Sequence, residues 1–148
     1  MKHAYQSLNK ALQTIWTAAA PGKTIHFERP DPPTVIGPDC LLVQWLDHGE
    51  PTEQPNEYEA LVQLDIFVSK PDRITALGWA SEIDRQLGFQ RDGGYGRLGR
   101  YDWTNPASPV DLTEMRVEPY ETGWISIPDP NPKLIHFART IVLTFLVN

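Results

Sequence analysis

Tyr58-Glu59-Ala60-Leu61-Val62-Gln63-Leu64-Asp65-Ile66-Phe67-Val68 is the stretch that decides the fold. Its even positions are Tyr58, Ala60, Val62, Leu64, Ile66 and Val68, apolar throughout. Its odd positions mix Glu59, Gln63 and Asp65 with Leu61 and Phe67. A period of two is the signature of a strand whose successive side chains point to opposite faces. The even face belongs in the core. The partly polar odd face predicts a sheet covered on one side only, which is the habit of antiparallel rather than parallel sheets.

Helices must cover the apolar face. Upstream, Tyr5, Leu8, Leu12, Ile15, Trp16 and Ala19 recur at helical spacing, with Lys2, Gln6, Lys10, Gln13 and Thr17 mostly opposite. Pro21-Gly22 ends that helix. Downstream, Ser69-Lys70-Pro71-Asp72 starts a second helix with Asp72 placed to cap it. Ile74, Leu77, Ala80, Ile83 and Leu87 form its expected apolar stripe, and Gly88 stops it. Further strands are expected at Ile25–Arg29, Cys40–Leu46, Glu114–Glu118 and Trp124–Ile127, with a long terminal one over Leu134–Val147. Pro30, Pro32, Pro33 and Pro38 mark a loop, as do Pro51 and Pro55 between Asp47 and Asn56. Gly88 to Leu112 reads mostly as a long connection, with room for a short strand at Arg97–Trp103. Helix, strands, helix, strands is the order of an α+β fold, a mostly antiparallel sheet with both helices on one face and long loops.

Composition bounds the function. Leu, Ile, Val and Phe make 37 of 148 residues, above the roughly 20% below which a charged chain stays unfolded. One folded domain, residues 1–148, is expected. Thirteen basic and nineteen acidic residues leave a net charge of −6, which opposes general nucleic-acid binding. The single cysteine, Cys40, excludes an internal disulfide and a cysteine zinc cage, and its neighbours Leu41, Leu42 and Val43 make it a small core residue. No signal-peptide core or bilayer-length apolar run occurs, so a protein that is neither exported nor membrane-bound is expected.

Motifs for chemistry are weak. Gly94-Tyr95-Gly96-Arg97-Leu98-Gly99 matches G-x-G-x-x-G, but it follows a helix instead of joining a strand to one, so dinucleotide binding is not expected. His3, His26, His48 and His136 lack close ligand spacing, and no nucleophile elbow or P-loop is present. Asp65 is expected to be solvated, or paired across strands with Arg139 or Arg116. Neither catalysis nor a cofactor or metal is expected. Two loops differ in charge instead. Asp47, Glu50, Glu53, Glu57 and Glu59 make one acidic. Arg91, Arg97 and Arg100 against Asp92 make the other basic, with Phe89, Tyr95, Tyr101 and Trp103 interleaved. Arg and Tyr are enriched where proteins meet. The expected subunit interface is therefore Glu50, Glu53 and Glu57 of one copy against Arg91, Tyr95, Arg97 and Arg100 of the next.

The layout resembles a known family. Tyr5-Gln6-Ser7-Leu8-Asn9-Lys10-Ala11-Leu12 opens it, and a Pro-rich passage leads to Leu41-Leu42-Val43-Gln44-Trp45-Leu46. The Tyr58–Val68 strand, a helix, a variable loop and an apolar final strand follow. This resembles the tail terminator or tail completion (minor tail) proteins of long-tailed bacteriophages. The resemblance implies a structural virion protein, made in the host cytoplasm and placed at the head-proximal end of the tail. Its partners would be itself in a six-fold ring, the tail tube protein and a head-completion or connector protein, with DNA only passing through the lumen. The same layout is open to a head–tail connector or stopper. From another class comes a small-ligand-binding regulatory α+β domain with a pocket lined by Trp16, Trp45, Trp79 or Trp124.

Overall fold

The computed structural model describes residues 2–28, 36–47, 49–90, 94–120 and 123–147. Arg29, Pro30, Pro32, Pro33, His48, Arg91 and Asp92 lie outside them. The elements run α1 (Lys2–Ala19), β1 (Thr24–His26), β2 (Cys40–Trp45), β3 (Glu50–Pro51), β4 (Glu57–Ser69), a 3-10 turn (Lys70–Asp72), α2 (Arg73–Gln86), β5 (Gly96–Asp102), β6 (Val110–Pro119), β7 (Ile125–Ile127) and β8 (Leu134–Leu146). Among the described residues eight strands form one sheet in the order β1-β2-β4-β8-β6-β5, with β3 added to β4 and β7 to β8. Among the described residues only the β1–β2 pair is parallel. The fold is α+β.

The centre of the sheet is β4 against β8, in continuous register from Glu57↔Leu146 to Ser69↔Leu134. Directly opposed residues share a face, so Ala60, Val62 and Ile66 sit beside Leu143, Ile141 and Phe137. These join Leu41, Val43, Met115 and Val117 under the two helices in one buried cluster. The apolar stripe of α1 supplies Leu8, Leu12 and Trp16, all without exposed surface. Burial of each such side chain stabilises the fold by roughly 1.5–3 kcal/mol. Trp16 also meets Trp79 of α2 edge-on at 5.2 Å and donates its indole N–H to Lys23 O at 3.2 Å.

Four expectations are corrected. Helix α2 buries Ala76, Ala80 and Ile83, while Ile74 is 86% and Leu77 46% exposed. The helix is rotated so that its small residues meet the sheet. Asp72 occupies the N-cap position, yet its side chain makes no capping bond. The segment Asp47–Asn56 holds a two-residue strand, since Glu50 and Pro51 pair with Glu59 and Tyr58. Proline is tolerated there because β3 lies at an edge. The largest correction concerns Gly88–Leu112. Strands β5 and β6 form a long antiparallel hairpin with a bulge between Leu98 and Arg100, and the short strand expected at Arg97–Trp103 is its first arm.

Within the G-x-G-x-x-G match, Gly96 is a steric device. A Cβ on Gly96 would lie 1.8 Å from Leu87 O, at the end of α2. Gly96 therefore lets the hairpin start directly beneath the helix terminus. No helix follows; the chain continues as β5. The hairpin is also tied to α1, because the Tyr101 N–H donates to Ser7 Oγ at 2.9 Å.

Candidate functional site

The odd residues of β4 project from the face that the helices leave alone. Cross-strand register defines which residues accompany them, and it divides this face into two parts.

At the end nearer the α2 entry, Asp65 is fully buried. Its Oδ2 accepts from Gln44 Nε2 at 2.8 Å, and its Oδ1 accepts from Gln63 Nε2 at 2.8 Å. His136 Nε2 stands 2.6 Å from the same Oδ1. The imidazole stacks on Phe67 with ring centres 4.2 Å apart, and its Nδ1 faces Asp129 Oδ2 at 4.0 Å. Cys40, Leu42 and Phe67 form a small apolar cluster beside it, closed by Ile36 and Leu134. The partner expected for Asp65 is thereby corrected. Arg139 lies on the opposite face, its register partner being the core residue Leu64, and it bonds Asp84 of α2 at 2.6 Å. Arg116 lies far along the sheet beside Thr144. Both ring nitrogens of His136 are directed at carboxylates, so the dyad is built to hold strands together. Burial, reinforced by Asp39 and Asp65, pushes the Cys40 thiol up to about 11. That removes it from thiolate chemistry near neutral pH.

At the other end the face is open. Glu50 is opposite Glu59, Glu59 is opposite Thr144, Thr144 is opposite Arg116, and Arg116 is opposite Arg97. One straight row thus crosses β3, β4, β8, β6 and β5, about 19 Å long at the usual strand spacing of ~4.8 Å. All four charged members are exposed. Arg116 Nε meets Glu118 Oε1 at 2.8 Å, and its guanidinium lies 4.0 Å over the Tyr95 ring. Among the described residues Glu50, Glu59 and Arg97 make no ion pair. An open cleft of about 400 Å³ runs along this part, and its lining includes Thr52, Glu57, Glu59, Glu114, Arg116 and Glu118.

The expected interface residues fall out as follows. Glu50 and Glu53 are exposed at the acidic edge. Glu57 begins β4 and accepts from Thr52 Oγ1 at 2.7 Å. Tyr95 and Arg97 lie at the basic edge, and Arg91 lies outside the described residues. Arg100 is not a surface residue. It is 5% exposed, donates from Nε to Thr113 O at 3.1 Å, and donates from Nη1 to Leu146 O. Burial lowers its pKa. Arg97 and Arg100 stand three positions apart on β5, so strand alternation points Arg97 outward and Arg100 inward; the register shift between Leu98 and Arg100 leaves its extra residue on β6, between Met115 and Leu112. Sequence reasoning missed Arg116 as a member of the basic edge. The alternation of Glu114–Glu118 put it on the open face, but only the β5–β6 register sets it against Arg97.

The four tryptophans suggested for a pocket are packed instead. Trp16 is in the core, Trp45 lies against Tyr5 at 5.4 Å, Trp79 is against Trp16, and Trp124 donates to Asp84 Oδ1 at 3.0 Å. Among the described residues no three His, Cys, Asp or Glu side chains are grouped to hold a metal ion. No described helix is long and apolar enough to cross a membrane. Set against protein-family models and against curated proteins, the sequence matches none of them.

Proposed function

We propose that this chain is a structural virion subunit, copies of which close into a six-fold ring that caps the tail tube of a long-tailed phage and joins it to the head-completion proteins. The sequence layout supports this reading. So does one structural observation: around Asp65 the buried polar groups are engaged with one another, while the open half of the sheet sets like charges opposite each other at both edges, with Glu50, Glu59 and Arg97 in no ion pair among the described residues. Unmatched charge at the two ends of an exposed sheet suits contact with another protein surface better than chemistry on a small substrate. The net charge of −6 suits a channel through which DNA passes without adhering.

Negative-stain microscopy of the purified protein over a range of concentrations, with mass measured in parallel, tests the reading. Closed rings with a central hole are the expected result. A chain that stays monomeric and also fails to cap purified tail tubes would overturn it.

A further inference from the structure

Resting on the reading of the chain as a self-assembling subunit, the geometry points to a specific head-to-tail contact between copies. We propose that the acidic edge of one copy, Glu50 and Glu59, docks on the basic edge of the next, Arg97 and Arg116 with Tyr95. The argument starts from a local cost. Like charges directly opposite each other on neighbouring strands destabilise a sheet. This sheet carries two such pairs in one row, Glu50↔Glu59 at one edge and Arg97↔Arg116 at the other, separated by Thr144. Arg116 already pairs with Glu118, and Glu114 lies beside it, but Glu50, Glu59 and Arg97 make no ion pair among the described residues, and each finds opposite charge at the far edge of the same row. Within one molecule the two pairs cannot meet, because β8 lies between them. Between molecules they can.

The placement sets the symmetry. Strand β5 ends the sheet on the basic side, and at this level β3 is the outer strand on the acidic side. Opposite charge on opposite edges makes the contact heterologous, with one surface meeting a different surface of the neighbour. Repeated around an axis, such a contact closes into a ring. A two-fold dimer through the acidic edge would set like charge against like. Tyr95 adds to the basic edge a ring already holding the Arg116 guanidinium at 4.0 Å, which fixes that cation in place for a partner carboxylate. Arg100 takes no part, because it is buried and bonded to Thr113 and Leu146.

Two charge-reversed variants test this, R97E/R116E and E50K/E59K, each compared with the wild type by sedimentation and electron microscopy. The first has two acidic edges and the second two basic ones. Assembly is expected to be lost in each variant alone and to return when the two are mixed in equal amounts, as an alternating array. The return on mixing shows that neither variant had merely misfolded. Rings that persist in both separate variants would overturn this contact while leaving the ring reading intact. Wild-type chains that assemble through these charges into open filaments would uphold the contact and overturn the ring. A wild type that is monomeric at every concentration would overturn the contact.

Discussion

The two ends of the uncovered sheet face share the central strands β4 and β8 and the same alternation, yet they treat polar groups in opposite ways. Around Asp65 the polar side chains face one another: two glutamine amides and an imidazole converge on one dehydrated carboxylate. Around Glu59 glutamate faces glutamate and arginine faces arginine across the strands in open solvent, although Arg116 also reaches Glu118. A buried carboxylate is tolerable only when donors surround it. An exposed one needs no partner, since water and salt screen it. The covered end therefore holds the fold together, and the open end leaves electrostatic energy for a contact with another chain.

The largest test of that contrast sets two carboxylates of β4 side by side. Asp65→Ala strands His136, Gln44 and Gln63 without their acceptor and is expected to destabilise the fold by about 3–5 kcal/mol in urea denaturation. Glu59→Ala, on the same strand and face, is expected to change stability by no more than about 0.5 kcal/mol. Equal effects would erase the distinction between the two ends.

The arginines of β5 give the next contrast. Arg100→Leu leaves two backbone carbonyls without their charged donor and is expected to cost about 1.5–3 kcal/mol. Arg97→Leu is expected to be close to neutral for folding while weakening assembly. Thermal melts at matched concentration distinguish them.

Cys40 reports on the covered end without mutation. Its thiol is pushed up to about 11 from an ordinary 9.0. The neutral form is the one the fold favours, so this contribution is present below about pH 9 and is lost as the pH rises through about 11. Alkylation of the native protein at pH 8 to 9 is expected to be much slower than that of the urea-unfolded chain. Comparable rates would mean that the end is open.

The smallest effect belongs to an exposed pair outside both regions. Arg85 and Gln86 hold the Glu82 carboxylate down to about 2 from 4.5, with Arg85 Nη2 2.5 Å from Glu82 Oε1. A depressed carboxylate stabilises above about pH 4.5 and loses that contribution as the pH falls toward about 2. Glu82 is half-buried and its partner Arg85 exposed, so the pair is screened by solvent, and Glu82→Gln is expected to alter acid unfolding only slightly, and less still in high salt.

Local pattern carried much of the fold. The alternation from Tyr58 to Val68 and the stripe of α1 state their own burial, because each depends on a period that neighbouring residues set. The stripe of α2 misleads. Ile74 and Leu77 share the spacing of Ile83, but the rotation that brings Ala76 and Ala80 to the sheet is chosen by how closely the helix must approach. In the candidate site, Glu50 and Arg97 were legible as exposed charges in loops rich in turn residues. Arg97 and Arg100 are not separable while Gly88–Leu112 reads mostly as a connection, because only within a strand does alternation send residues three apart to opposite faces. Asp65 was legible as a polar residue in a strand, but its partner lies 71 positions away.

The amino-acid sequence by itself determined the fold class, the central strand, the first helix and the presence of one acidic and one basic segment, because composition and short-range period decide these. Only the tertiary structure decided that Asp65 is a buried cross-strand anchor, that Gly88–Leu112 is mostly hairpin, and that like charges stand opposed at the two edges of one row. Each of those depends on register between strands distant in the chain. A shift of one residue exchanges the two faces of a strand, and no local pattern records it.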